Sequence, residues 1–153
     1  MKHIFVLDEN VFIQSFTCRN IQDSQDDFNS LNLILGILRN CHRVGLSSEL
    51  TLKYREKSKT LEKKEKIYGN VIRIWNNLLY ISNKHRLSNS HLENLPTNLL
   101  DDSHVIEPTV FLSGILVTTD DKLKRRLTEW AEKKRLKLTI KSPKEALGFI
   151  TNS

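Results

Sequence analysis

The sequence predicts a three-layer α/β domain with a mostly parallel central sheet. Three observations point there: short apolar runs with the look of buried strands, amphipathic stretches at helical spacing between them, and polar or acidic residues at each switch from one to the other. Strands alternating with helices along the whole chain imply one sheet with right-handed crossovers. The 153 residues are about one domain's length, enough to bury a core without disulfide or metal staples, so a single domain over 1–153 is expected.

Residues 3–7 form an apolar, β-branched run stopped by Asp8, Glu9 and Asn10, the pattern of a strand covered on both faces. Phe28, Leu31, Leu35 and Leu38 then recur at helical spacing behind Asp26 and Asp27, acids that suit a helix N-terminus. Val44, Gly45 and Leu46 read as a second strand, and Ser47, Ser48 and Glu49 can cap a helix running through Leu50, Leu52 and Tyr54. Over 63–82, Ile67, Val71, Ile74, Trp75 and Leu78 trace one face of a further helix, with 57–66 as its solvated, lysine-rich start. Residues 83–98 are polar and aperiodic, contain two histidines and Pro96, and read as a loop bordering the site. Residues 115–118 follow Gly114 as a buried strand, after which Asp120 and Asp121 open a Lys/Arg-rich helix through Trp130. Alternation over 136–140 predicts a last strand. Ser142 as N-cap, Pro143 at the first helical position and Glu145 at the third launch a closing helix to Ile150.

Composition excludes several classes. With 39% hydrophobic and 27% charged residues and only five Gly and three Pro, the chain is neither disordered nor fibrous. No apolar run reaches the roughly 18 residues of a membrane span, and Asp8 cuts the N-terminal run too early for a signal-peptide core, so a cytoplasmic location is expected. Cys18 and Cys41 lack metal-ligand spacing and read as buried free thiols. A net charge of +6 and a pI near 9.4 permit a polyanionic partner without demanding one. A nucleotide-binding or signalling α/β domain is disfavoured, because neither Gly-x-Gly-x-x-Gly nor a phosphate loop occurs.

Open parallel sheets bind ligands at the carboxyl ends of their strands. Asp8 and Asp120 directly follow strands and Asp102 opens a helical segment between them, so three distant acids can meet at one sheet edge. Gathered carboxylates raise one another's pKa unless a hard cation neutralises them. Mg²⁺ or Mn²⁺ suits all-oxygen ligation, and phosphodiester hydrolysis is the reaction such a centre best serves. Simpler readings stand beside these: Asp8 ends a strand, Asp102 and Asp121 favour helix N-termini, His104 is a core or capping histidine, and Trp75 and Trp130 pack in the core. Lys122, Lys124, Arg125 and Arg126 are either phosphate contacts or a solvated helix face.

The segment Leu7-Asp8-Glu9-Asn10-Val11 resembles the Asp-x-Asn-Val opening of PIN domains. Leu99-Leu100-Asp101-Asp102-Ser103-His104-Val105-Ile106 is similar to their second acidic motif, Leu116-Val117-Thr118-Thr119-Asp120 to their late Val-Thr-x-Asp motif, and Ser142-Pro143-Lys144-Glu145-Ala146-Leu147 to their closing segment. The ordered set spans nearly the whole chain. The resemblance implies a Rossmann-like α/β/α fold, a Mg²⁺- or Mn²⁺-dependent endoribonuclease, homodimerisation, and a role as the toxin beside an antitoxin protein. It assigns Asp8, Asp102 and Asp120 as catalytic metal ligands, Asn10 and Thr118 as supporting residues, and Asp101 and Asp121 as adjacent alternatives. Lys53, Lys122, Lys124 and Arg125 are expected to contact RNA. One departure stands out: the family places a Glu just before a Tyr or Leu in the helix after the second strand, and here Lys53 precedes Tyr54. Glu49, one turn earlier on the same face, is the candidate replacement. Without it the expectation shifts to an RNA-binding module with little turnover.

Overall fold

Strands buried on both faces need helices above and below them, and the alternation of elements supplies both layers. In the computed structural model, which describes residues 1–19, 25–64, 69, 72–73, 76–77, 81 and 83–151, the strands are β1 (Ile4–Leu7), β2 (Arg43–Leu46), β3 (His85–Leu87), β4 (Ile115–Val117) and β5 (Thr139–Lys141). Six α-helices flank them among the described residues: α1 (Glu9–Thr17), α2 (Asn29–Arg39), α3 (Ser48–Lys64), α4 (Ser103–Phe111), α5 (Asp121–Lys133) and α6 (Pro143–Thr151). A 3₁₀ turn, Thr97–Asp102, leads into α4.

All five strands are parallel, in the order β3-β2-β1-β4-β5. The chain steps outward from β1 to β3, then returns across the sheet to β4. Right-handed crossovers put the outgoing and returning helices on opposite faces. The direction reverses between β1 and β4, so their carboxyl ends open a crevice, the place where such sheets bind ligands. Phe5, Val6, Leu7, Leu116 and Val117 have no solvent exposure and join Leu33, Ile34, Ile37 and Leu50 in one core. None of the described helices is long and apolar enough to cross a membrane.

Several local expectations need correction. Helix α1 lacks a clear apolar period because Gln14 and Ser15 are buried in it, with Gln14 Oε1 accepting from Ser30 Oγ of α2 at 3.4 Å. In α2 the buried face is Ser30, Leu33, Ile34 and Ile37, whereas Leu31, Leu35 and Leu38 are half-buried and Phe28 is exposed. Packing against both α1 and α6 rotates that face away from the expected stripe. Ser47 does cap α3, its Oγ accepting from the Leu50 amide at 3.1 Å, but the helix runs on through Lys64, so 57–64 is its second half rather than a new start. Ile67, Val71, Ile74, Trp75 and Leu78 lie outside the described residues. The stretch 83–98 holds β3, a half-exposed strand of three residues whose ladder with β2 supplies what its side chains do not signal. Leu136 is exposed and its amide closes α5 by bonding to the Ala131 carbonyl, which delays β5 to Thr139. Cys41 is exposed beyond the end of α2 and Cys18 half-buried, so neither is a core thiol, though both are free.

Gly45 shows how closely the sheet is covered. A Cβ there would stand 2.8 Å from Val6 Cγ2, 3.0 Å from Ile4 Cγ2 and 3.2 Å from Leu112 Cδ1, and the two nearest are stiff β-branched side chains. Gly45→Ala should therefore cost about 1–3 kcal/mol through overpacking. Urea denaturation checks this, and an unchanged midpoint would mean that the α4 layer yields freely.

Candidate functional site

Asp8 ends β1 and occupies the N-cap position of α1, yet its side chain caps nothing. It turns into the crevice instead, only 7% exposed, where Thr118 Oγ1 at the end of β4 donates to Asp8 Oδ2 at 2.8 Å. The same Thr118 oxygen accepts from the Asp120 amide at 3.1 Å. One buried hydroxyl thus joins the ends of β1 and β4 to the loop that starts α5.

Glu9, the first residue of α1, leans the other way. His104 Nε2, in the first turn of α4, donates to Glu9 Oε2 at 2.9 Å, and the ring is 2% exposed. The His104 carbonyl accepts from Ser47 Oγ at 3.0 Å, so the carboxyl end of β2 is tied into the same assembly. Tyr54 of α3 donates its hydroxyl to the Leu7 carbonyl, fixing the last peptide of β1. Asp102 sits half-buried at the N-cap of α4, again without a capping bond. Asp120 behaves differently: exposed, it caps α5, with Oδ1 accepting from the Lys122 and Leu123 amides at 3.0 and 3.1 Å.

The electrostatics follow from this crowding. Burial pushes the Asp8 carboxyl up to about 7, and the hydrogen bond and charge of Glu9 add to the rise, while Thr118 and His104 oppose it. Burial also acts to raise Glu9, but the hydrogen bonds from His104 and Asp8, with the field of His104, outweigh it and hold this carboxyl below the usual range. The pair therefore keeps its shared proton on Asp8 and its charge on Glu9. Burial raises Asp102 as well; His104 opposes, and Asp120, Glu9 and Asp101 add to the rise. Asp8 thus interacts with Glu9, and Asp102 with Glu9, Asp120 and Asp101, while the field of His104 acts on Asp8, Glu9 and Asp102 alike.

The side chains of the other sequence-selected residues are not hydrogen-bonded to these acids among the described residues. Glu49 is exposed and Lys53 half-buried in the first turns of α3, and neither forms a hydrogen bond or ion pair to the cluster among the described residues. The half-buried Asn10 side chain makes no hydrogen bond to Asp8. Asp101 and Asp121 are exposed, as are Lys122 and Arg125, while Lys124 Nζ lies 3.4 Å from Glu145 Oε1. Sequence reasoning missed Glu9, although an acid at a helix start beside Asp8 was a usable signal. It also gave His104 only a core or capping role; no local pattern showed that the ring would meet Glu9, 95 residues away.

Oxygen donors of this kind suit a hard dication. As they stand, however, no three Asp, Glu, His or Cys side chains among the described residues are arranged to hold an ion. The chain matches no protein-family model and no curated protein.

The raised Asp8 carboxyl sets a pH dependence with a definite sign. Between its ordinary value of 3.8 and about 7, the folded chain holds a proton that the unfolded chain has lost, so stability falls as pH rises through that window. Glu9 acts oppositely, its stabilisation being lost as pH drops below its ordinary value of 4.5. Thermal melts in chelator should show the midpoint declining towards pH 7, and Asp8→Asn should flatten that decline. A slope untouched by Asp8→Asn would show that other groups carry it.

Proposed function

We propose that this chain is a PIN-type nuclease that hydrolyses phosphodiester bonds in RNA with the help of Mg²⁺ or Mn²⁺. The observation that supports it best is Asp8: a buried carboxyl at the crevice between β1 and β4, locked by Thr118 and pushed up to about 7 by burial and by Glu9. A metal ion bound there would displace the carboxyl's proton, so its affinity would rise with pH. Asp8, Asp102 and Asp120 would hold the ion, which when bound polarises a phosphate and lowers the pKa of an attacking water. Thr118 orients Asp8. Glu9, kept ionised by His104, supplies a fourth carboxylate on α1 in place of the one that Lys53 displaces on α3. The exposed Lys122 and Arg125 on α5 and the net charge of +6 favour a polyanionic strand.

A second reading, an RNA-binding module with little turnover, draws on two observations. The donors do not converge on one point as they stand, and an Asp120 oxygen is committed to capping α5. Cleavage of a labelled single-stranded RNA, with Mn²⁺ titrated calorimetrically, separates the two. Asp8→Asn should depress Mn²⁺-dependent cleavage by about 10²-fold or more while leaving the fold intact. RNA bound but uncut at every Mn²⁺ and Mg²⁺ concentration selects the binding module. Cleavage undiminished in Asp8→Asn would sink the proposed site.

A further inference from the structure

A second feature lies beside Asp8, at the carboxyl ends of β4 and β5. A solvent-open cavity of about 310 Å³ is walled by Thr118, Thr119, Ser142, Pro143, Lys144 and Lys124, and closed on its far side by Asp27 and Asn29 of the segment entering α2. Its size falls within the range of small-ligand sites, roughly 300–1,000 Å³. Its chemistry is mixed. Three acids reach its walls, but two are already engaged. Asp27 Oδ1 accepts from the Asn29 amide at 2.9 Å, and Glu145 Oε1 accepts from the Ser142 amide at 3.0 Å with Lys124 Nζ 3.4 Å away. Asp121, the third, is exposed at the start of α5.

Amides at the nearby helix starts are similarly engaged, because Asp27 accepts from the Asn29 amide that opens α2, and Asp120 and Ser142 cap α5 and α6. Attraction for an anion therefore has to come from side chains. Lys144 is exposed and has no ion pair among the described residues, and Lys124, whose Nζ lies 3.4 Å from Glu145 Oε1, lines the same cavity. Thr119 and Asn29 make no side-chain hydrogen bond among the described residues, and Pro143 adds an apolar wall. A cation, free hydroxyl and amide groups and a small apolar surface together match a phosphate-bearing sugar better than a lipid or a bare ion. The position of the cavity adds direction: Thr118 is one of its walls and also the hydrogen-bond donor to Asp8.

We propose that this cavity receives the ribonucleotide next to the phosphodiester bond cleaved at Asp8, with the nucleotide's phosphate on Lys144 and Lys124 and its sugar and base against Thr119, Asn29 and Pro143. The assignment rests on the nuclease reading. Its test is a titration of the full chain with the four ribonucleoside 5′-monophosphates, followed by amide chemical shifts, with inorganic phosphate alone as a second arm. Saturable shifts centred on Thr119, Ser142 and Lys144 are expected, with affinity near millimolar. Lys144→Ala should weaken binding about tenfold, and Lys59→Ala, at an exposed lysine of α3 outside the cavity lining, should leave it unchanged. Lys144→Ala should also raise the KM for a short RNA with kcat nearly constant, the sign of lost ground-state binding. Shifts centred elsewhere, affinities equal in Lys144→Ala and the unsubstituted chain, or phosphate binding as tightly as the nucleotides would each overturn the assignment. Cleavage that persists without nucleotide binding removes the cavity and leaves the nuclease. Nucleotide binding here with no cleavage under Mn²⁺ or Mg²⁺ removes the nuclease, and with it the cleaved strand from this assignment.

Discussion

The hydrogen bond from Thr118 to Asp8 spans the one place where the sheet reverses direction, and the rest of the site is arranged around it. At an ordinary strand end, an aspartate followed by a helix would turn its carboxylate onto the helix amides, as Asp120 does on α5. Asp8 is instead drawn 110 residues along the chain to a hydroxyl on β4, which leaves α1 uncapped by a side chain. That sacrifice, of the order of 1 kcal/mol for a lost N-cap, places a carboxyl in a poorly solvated crevice. Thr118 fills the gap from the other side, since its hydroxyl also takes the Asp120 amide.

The charge pattern follows from that placement. Two adjacent acids at the start of one helix cannot both ionise cheaply when one is buried, so the proton settles on Asp8, the more deeply buried of the two. His104 reinforces the choice, because its Nε2 bonds Glu9 and not Asp8. The result is an asymmetric pair of acids on consecutive residues of one chain, one with its pKa raised and one with its pKa lowered, held by contacts from the end of β4 and from α4. The proposed cation would offset the charge of such a pair. The polar cavity beside Thr118 gives the same edge of the sheet room for more than an ion.

The layered α/β architecture was legible because covered parallel strands must be apolar throughout, and the runs ending at Leu7, Leu46 and Val117 have no other reading in a chain of this composition. The Ser142–Glu145 capping box was legible for a similar reason, since its two reciprocal bonds, at 3.0 and 3.2 Å, join residues three apart. The short edge strand β3 and the helix α1 were not. His85, Arg86 and Leu87 carry no strand pattern and pair only because β2 presents a free edge. Gln14 and Ser15 break the apolar period of α1; Gln14 is satisfied across the fold by Ser30, and Ser15 within the helix by the Phe12 carbonyl.

The sequence by itself therefore determined the parallel sheet, the strand ends at which Asp8 and Thr118 stand, and the helix starts marked by Asp120 and Ser142. Each of these depends on residues within a few positions of one another. Only the tertiary structure decided which acid has its pKa raised, which has it lowered and which serves as a cap. Those outcomes depend on contacts between Asp8 and Thr118 and between Glu9 and His104, which lie 110 and 95 residues apart. A carboxyl's burial and its donors are properties of the packed crevice, and local sequence pattern carries no record of either.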